Sequence, residues 1–147
     1  MSTSSPTRSA STTAETVVIA LGSNLGDRAW HLRRALHELA RIARLVRVSS
    51  IHETNPVDAP PGSPDFLNMV VVGRTPLSPF DLLRELLATE ARLGRRRSVR
   101  NAPRVIDLDL IFYGARHIQT KDLTVPHPRW IERGFVLEPL REVFKRN

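Results

Sequence analysis

Two stretches of helical periodicity, each flanked by short apolar runs, restrict the fold of this chain more than any other feature. Val17 to Leu21 (VVIAL) is apolar, short and ended by Gly22, which predicts a buried strand. Leu32, Ala35, Leu36, Leu39 and Ile42 then recur at helical spacing, with Arg33, Arg34, His37, Glu38 and Arg41 on the other faces. That pattern predicts an amphipathic helix over about 27–43, with cap residues supplied by GSNLGDR. Leu45 to Ile51 reads as a second strand and Phe66 to Val72 as a third, and the loop from Thr54 to Asp65 is made irregular by four prolines and a glycine. Ser78 as an N-cap, Pro79 at the first helical position and the stripe Phe80, Leu83, Leu86, Leu87 and Ala91 predict a second helix that stops at Gly94. Arg104 to Tyr113 (RVIDLDLIFY) is a fourth strand, and only a short helix is expected near the C-terminus. The order β-α-β-β-α-β predicts an α+β fold, a ferredoxin-like sandwich with helices packed on an antiparallel sheet.

At 147 residues the chain suits one domain. Residues 1–15 hold nine Ser or Thr and a single arginine, which predicts a disordered tail and leaves 16–147 as the folded unit. The tail lacks the apolar run of a secretory signal, and no segment approaches the roughly 18 uncharged apolar residues of a membrane span. There is no cysteine, so disulfides, thiolate metal sites and a cysteine nucleophile are excluded. These features suit a cytoplasmic protein.

The formal charge is +7, from 22 Lys plus Arg against 15 Asp plus Glu. Six arginines and no acid lie between Arg92 and Arg104, so the rest of the chain carries 7 minus 6, or +1. Such a cluster suits a small polyanion such as a nucleotide triphosphate, and it also suits nucleic acid or a solvated loop.

Asp107-Leu108-Asp109 carries the chemistry. In a strand Ile106, Leu108, Leu110 and Phe112 face the core while Asp107 and Asp109 share the opposite face, roughly 7 Å apart at their roots. Two like charges on one face repel unless a cation lies between them. A hard divalent ion carrying phosphate oxygens resolves that conflict, and so does a salt bridge from the pair to arginines on a solvated face. The arginine segment leads straight into this strand, which joins cations and carboxylates in an arrangement suited to metal-bridged phosphates. There is no GxxxxGK[ST] and no kinase-like glycine-rich loop. GSNLG (Gly22 to Gly26) reads either as a donor of backbone amides to a phosphate or as a plain strand-to-helix turn.

Five ordered segments, LGSNLG (21–26), PDFLN (64–68), APRVIDLDL (102–110), LTVPH (123–127) and RGFVL (133–137), resemble the signatures of the 6-hydroxymethyl-7,8-dihydropterin pyrophosphokinase family of folate biosynthesis. The resemblance covers about 17–144. It implies transfer of the β,γ-diphosphate of ATP to the hydroxymethyl group of the reduced pterin, releasing AMP, with two Mg2+ ions on Asp107 and Asp109. It also implies Arg95 and Arg104 as catalytic-loop arginines, and Asn68 with the ring pair Phe66 and Phe135 for the pterin, joined by backbone groups of Thr54 and Val57. For ATP it implies Arg97, Arg104, Thr124, His127 and Arg133, with Glu90 either touching the nucleotide or bracing the loop.

Without the resemblance, Phe66 and Phe135 read as core residues, Glu90 as an exposed acid at a helix end and His127 as part of a packed turn. Asn101 stands where some family members have Trp, and Pro128 where some have Tyr. The expected partners are ATP and the reduced pterin, with no nucleic acid and no membrane, and the expected state is a monomer. Two rivals remain at this level, a nucleic-acid-binding module built on the Arg92–Arg104 segment and a non-catalytic ligand sensor of the same fold.

Overall fold

The structure, a computed structural model, describes residues 14–55, 60–95, 103–132 and 134–144. Strand β1 (Glu15–Ser23) leads to helix α1 (Arg28–Leu39), which is followed by β2 (Arg44–Val48), β3 (His52–Thr54) and β4 (Phe66–Thr75). Helix α2 (Pro79–Arg92) and β5 (Asp107–Tyr113) complete the expected order. A small hairpin, β6 (Ile118–Gln119) and β7 (Thr124–Val125), then precedes a 3-10 turn (Trp130–Glu132) and α3 (Gly134–Phe144).

The main sheet runs β2-β4-β1-β5 with antiparallel pairing throughout, the ferredoxin-like arrangement. Alternation along β1 sends Val17, Ile19 and Leu21 to one face, where α1 and α2 cover them with Leu32, Ala35, Leu39, Leu82 and Leu86. Val18 and Ala20 face the other side beneath Val136, Leu140 and Val143 of α3. Each fully buried leucine contributes about 1.5 to 3 kcal/mol, so both faces of the central strand anchor the sheet.

Several expectations are corrected. The strand does not end at Gly22: β1 runs on to Ser23, and a Cβ on Gly22 would stand 3.2 Å from Asn68 Oδ1 and 3.3 Å from the Phe66 ring. Glycine thus permits a close approach within the sheet rather than closing the strand. β1 also starts at Glu15, inside the segment expected as tail, while residues 1–13 lie outside the described residues. α1 stops at Leu39, and Ile42 reaches the core from the turn beyond it.

The expected second strand ends at Val48, and a separate strand not anticipated, β3, follows beyond its range on the same edge of β4. At the break between the two the Ser49 amide donates to Val70 O (2.9 Å) and Ser49 Oγ accepts from Val70 N (2.9 Å), so a side chain replaces a ladder carbonyl. In α2 the buried row is Leu82, Leu86 and Thr89, whereas Phe80 and Leu87 are 46% and 44% exposed. Its caps are as expected: Ser78 Oγ accepts from Asp81 N at 3.2 Å, Pro79 follows, and Gly94 takes φ 100°.

β5 begins at Asp107, and its register against β1 shifts between Val18 and Ile19. This irregularity turns Ile111 and Phe112 toward α3, although Phe112 was expected on the face of Leu110. The hairpin was not anticipated, and α3 is an eleven-residue helix despite the interior Pro139.

Candidate functional site

Asp107 and Asp109 emerge half-buried on one face of β5, opposite Gly22 and Ala20 of β1. Along the outer edge of β5 lies a cavity of about 490 Å³. Glu90, Arg95, Arg104, Asp107 and Asp109 form its charged wall, and Leu83 and Leu87 of α2 form an apolar wall. The β6–β7 hairpin and the turn after it bring Lys121, Asp122, Thr124 and His127 to the rim.

The charged wall is one connected network. Asp107 accepts from Arg95 Nη1 (2.7 Å) and from Arg104 Nη1 (3.0 Å) through its two oxygens. Arg95 also donates to Glu90 Oε2 (2.8 Å), and that same oxygen accepts the Leu108 amide at 2.7 Å. Burial alone lowers the pKa of Arg95, but the charges and hydrogen bonds of Asp107 and Glu90 outweigh it and hold the guanidinium above its ordinary value. Arg95 is therefore cationic at every working pH.

Two expectations change here. Glu90 is not an exposed acid: it is 3% exposed and braces the start of β5. The mutual repulsion expected of the aspartates is offset at Asp107 by the arginines, the salt-bridged arrangement that stood as the alternative to metal. The cationic segment is correspondingly tempered, because Arg92 pairs with Glu38 (3.2 Å) while Arg95 and Arg104 pair with Asp107. Those acids come from outside the segment, which a count within it misses.

A second group gathers at the adjoining end of the sheet. Asn68 is 4% exposed, and its Nδ2 donates to Thr54 Oγ1 (2.6 Å) and to His52 O (3.4 Å). Phe66 lies half-buried beside Gly22, with the Arg104 guanidinium 5.7 Å from its ring centre. Arg104 thereby joins the two groups. Phe135, at the start of α3, packs with Phe112 and Trp130 against the core cluster on that face. Thr54, Phe66, Asn68 and Phe135 do not line the 490 Å³ cavity, whereas Thr124 and His127 do. The His127 amide donates to Ile111 O at 2.8 Å, which fixes the turn to β5. Val57, Arg97, Asn101 and Arg133 lie outside the described residues.

Sequence reasoning missed Asn24. This buried side chain accepts the Arg104 amide on Oδ1 (2.7 Å) and donates from Nδ2 to Pro64 O (3.2 Å), while its own amide donates to Arg104 O (3.1 Å). The available signal was an asparagine immediately after an apolar strand, where a side-chain amide can satisfy backbone groups of two loops at once. Lys121, Asp122, Leu83 and Leu87 were missed as well. The polar run Thr120–Asp122 between apolar Ile118 and Leu123 was the signal for a hairpin tip.

Asp107 and Asp109 are hard oxygen donors, and among the described residues no group of three or more His, Cys, Asp or Glu is arranged to hold a metal. Two carboxylates fit Mg2+ that completes its shell with phosphate oxygens and water, rather than an all-protein cage. No described helix is long and apolar enough to cross a membrane.

The family model for 7,8-dihydro-6-hydroxymethylpterin-pyrophosphokinase matches residues 18–145. The chain is 48% identical over 128 residues to 2-amino-4-hydroxy-6-hydroxymethyldihydropteridine pyrophosphokinase of Bacillus subtilis, covering 85% of this chain and 75% of that one. It is 44% identical over 140 residues to a mitochondrial folate synthesis bifunctional protein of Arabidopsis thaliana, covering 95% of this chain and 25% of the relative. Among solved structures, a Plasmodium falciparum HPPK-DHPS crystallised with pteroate superimposes with a TM-score of 0.71 at 15% identity, over 95% of this chain and 42% of that one. At that identity the likeness establishes the fold. The chain spans about two fifths of that structure and a quarter of the Arabidopsis protein.

Proposed function

The chain belongs to the 7,8-dihydro-6-hydroxymethylpterin-pyrophosphokinase family and is a transferase of folate biosynthesis, and from that premise we propose how its residues divide the work. The reaction moves the diphosphate of ATP to the hydroxymethyl oxygen of the reduced pterin and releases AMP. The reading of the residues rests on one observation: Asp107, Asp109, Arg95, Arg104 and Glu90 converge on one wall of the 490 Å³ cavity, joined through Arg104 to the group around Phe66 and Asn68.

In this reading Asp107 and Asp109 hold Mg2+, two ions when both substrates are present. When bound, the metal would neutralise phosphate oxygens and acidify the attacking hydroxyl. Arg95 and Arg104 carry the phosphate charge. Both guanidinium groups already pair with Asp107, so incoming phosphate oxygens give them new anionic partners as the carboxylate is released, and the desolvated charges stay matched. Glu90 keeps one hold on Arg95 throughout and so limits where that arginine can swing. It serves ATP through this hold.

Thr124 and His127 line the nucleotide side, and Arg97 and Arg133 are assigned to phosphate. Phe66 and Phe135 supply ring faces for the pterin. Asn68 offers an amide that both donates and accepts, with Thr54 and Val57 providing backbone groups. The chain has no cysteine, which suits a reducing compartment, and the reading takes it to act in the cytoplasm as a monomer on small molecules.

Phosphorus NMR of protein with ATP, Mg2+ and the pterin alcohol tests the reading. AMP and a diphosphate ester should grow together in equal amounts. Attack at the γ phosphorus would give ADP instead, and because in-line positioning selects one phosphorus, pterin-dependent ADP overturns the assignment.

A further inference from the structure

The approach to Phe66 is held by a side chain to which neither the sequence pattern nor the family resemblance gives a role. Arg28 opens α1, and its Nη1 donates to the carbonyl oxygen of Asp65 at 2.8 Å and to Glu53 Oε2 at 3.0 Å. The Asp65 carbonyl and the Phe66 amide belong to one rigid peptide plane, so a clamp on that oxygen sets the root from which the Phe66 ring projects. The other recipient, Glu53, lies on β3 next to Thr54, and Thr54 is the register partner of Phe66. One guanidinium therefore ties together the two strand ends that carry Thr54 and Phe66.

Residues 60–65 precede β4 and have no ladder pairing, and Gly62 (φ 82°) makes a turn between Pro61 and Ser63. Asn24 holds the Pro64 carbonyl of this segment (3.2 Å), and Arg28 adds the hold on the next one, Asp65 O. The Arg28 side chain is 29% exposed, so the hydrogen bonds are partly shielded from water, and the charge of Glu53 holds the guanidinium toward the loop.

We propose that Arg28 is a positioning residue for the pterin pocket, fixing the Asp65–Phe66 peptide so that the Phe66 ring is presented ready to stack on the substrate. Arg28 touches no reacting atom. The inference rests on the assignment of Phe66 and Thr54 to the pterin, and it deepens that assignment.

The test compares wild type, Arg28→Met, Arg28→Gln and Arg28→Lys in the full chain. All four side chains have similar helix propensity, so α1 is not penalised by the exchange. Dissociation constants are measured by calorimetry for a non-hydrolysable ATP analogue with Mg2+, and then for the pterin alcohol added to that complex. Loss of a charge-assisted hydrogen bond predicts that Met and Gln weaken pterin binding about tenfold, leave the nucleotide constant within about twofold, and raise KM for the pterin far more than they lower kcat. Lysine, which keeps a charged donor, recovers part of the loss.

Pterin affinity within about twofold of wild type in Arg28→Met overturns the proposal. A parallel loss of nucleotide and pterin binding, or a lysine variant no better than methionine, overturns it as well, because each marks general disruption. If Arg28→Met does not fold, Arg28→Gln decides by the same criteria. Wild-type protein that binds the nucleotide but no pterin overturns the assignment beneath the proposal, and the wild-type arm alone reports that outcome.

Discussion

Removing Glu90 separates the exposed helix-end acid expected from the sequence from the buried brace found in the structure. An acid in the last turn of α2 faces the negative end of the helix dipole, so if it were exposed, Glu90→Ala would be neutral or slightly stabilising, within about 0.5 kcal/mol. In the structure Glu90 Oε2 accepts both the Leu108 amide (2.7 Å) and Arg95 Nη1 (2.8 Å), and the two side chains of the ion pair are 5% and 12% exposed. Breaking a buried ion pair by deleting one member costs about 3 to 5 kcal/mol, and an unsatisfied buried amide about 1 to 3 kcal/mol. The two penalties overlap because one oxygen serves both donors, and Arg95 retains Asp107 at 2.7 Å, so the total should lie near the lower end, about 3 kcal/mol. For a domain of this size that lowers Tm by roughly 6 to 12 °C. Glu90→Gln keeps an acceptor for the amide and loses only the charge, for about 1 to 2 kcal/mol. Urea unfolding with an unchanged m-value measures both, and Arg95→Met completes a double-mutant cycle whose coupling should be about 1 to 2 kcal/mol. Glu90→Ala within about 1 kcal/mol of wild type, or strict additivity with Arg95→Met, would refute the network.

Three further outcomes are expected. Asp107→Ala and Asp109→Ala should each lower Mg2+-dependent AMP formation by at least about a hundredfold, the scale of losing a preorganised charge in a reacting site. Asp107→Ala should also destabilise the ligand-free protein, because it removes the carboxylate with which both the Arg95 and Arg104 guanidinium groups pair. A more stable Asp107→Ala protein in urea would contradict the pairing. Glu142 of α3 accepts from Ser50 Oγ (2.7 Å), His52 Nε2 (3.0 Å) and Ser50 N (2.7 Å), and these hydrogen bonds lower its pKa from 4.5 to about 2. A depressed carboxyl stabilises fully above its unfolded pKa and loses that contribution as pH falls through the folded one. The stability difference between wild type and Glu142→Gln should therefore fade as pH falls from 4.5 to about 2. A difference that persists unchanged at pH 2 would sink this account.

Periodicity made the order of elements legible, because burial on one face imposes a repeat of 3.6 on a helix and 2 on a strand. What it could not carry was any departure from the repeat. The break at Ser49 depends on a hydroxyl replacing a carbonyl opposite Val70, and the turn of Phe112 toward α3 depends on a register shift against β1. Both are decided by a partner strand far away in the sequence. Likewise, Leu82 rather than Leu83 lies in the core row of α2, and nothing within the helix distinguishes adjacent leucines until the cavity occupies one side. Pro139 lacks an amide hydrogen and argues against a helix interior, so α3 is longer than expected; packing of Val136, Leu140 and Val143 on the sheet outweighs that local cost.

For the site, strand alternation alone put Asp107 and Asp109 on one face, and the arginine segment next to them pointed to phosphate. The source of the counter-charges was not legible in the same way. Glu90 reaches Leu108 N across eighteen positions and Arg95 across five, from a helix whose pattern assigned it to solvent. Asn24 reaches Arg104 across eighty positions and Pro64 across forty. Such contacts leave no periodic trace, since a hydrogen bond needs one donor and one acceptor and imposes nothing on their neighbours. They do leave a chemical trace. A glutamate in the last turn of a helix and an asparagine straight after a buried strand each go against local preference, and both turn out to be buried. A polar residue that local physics disfavours is retained where a distant partner offsets the penalty. On that reasoning, the acid at the wrong end of α2 was the strongest available pointer to the network that holds Arg95 against Asp107.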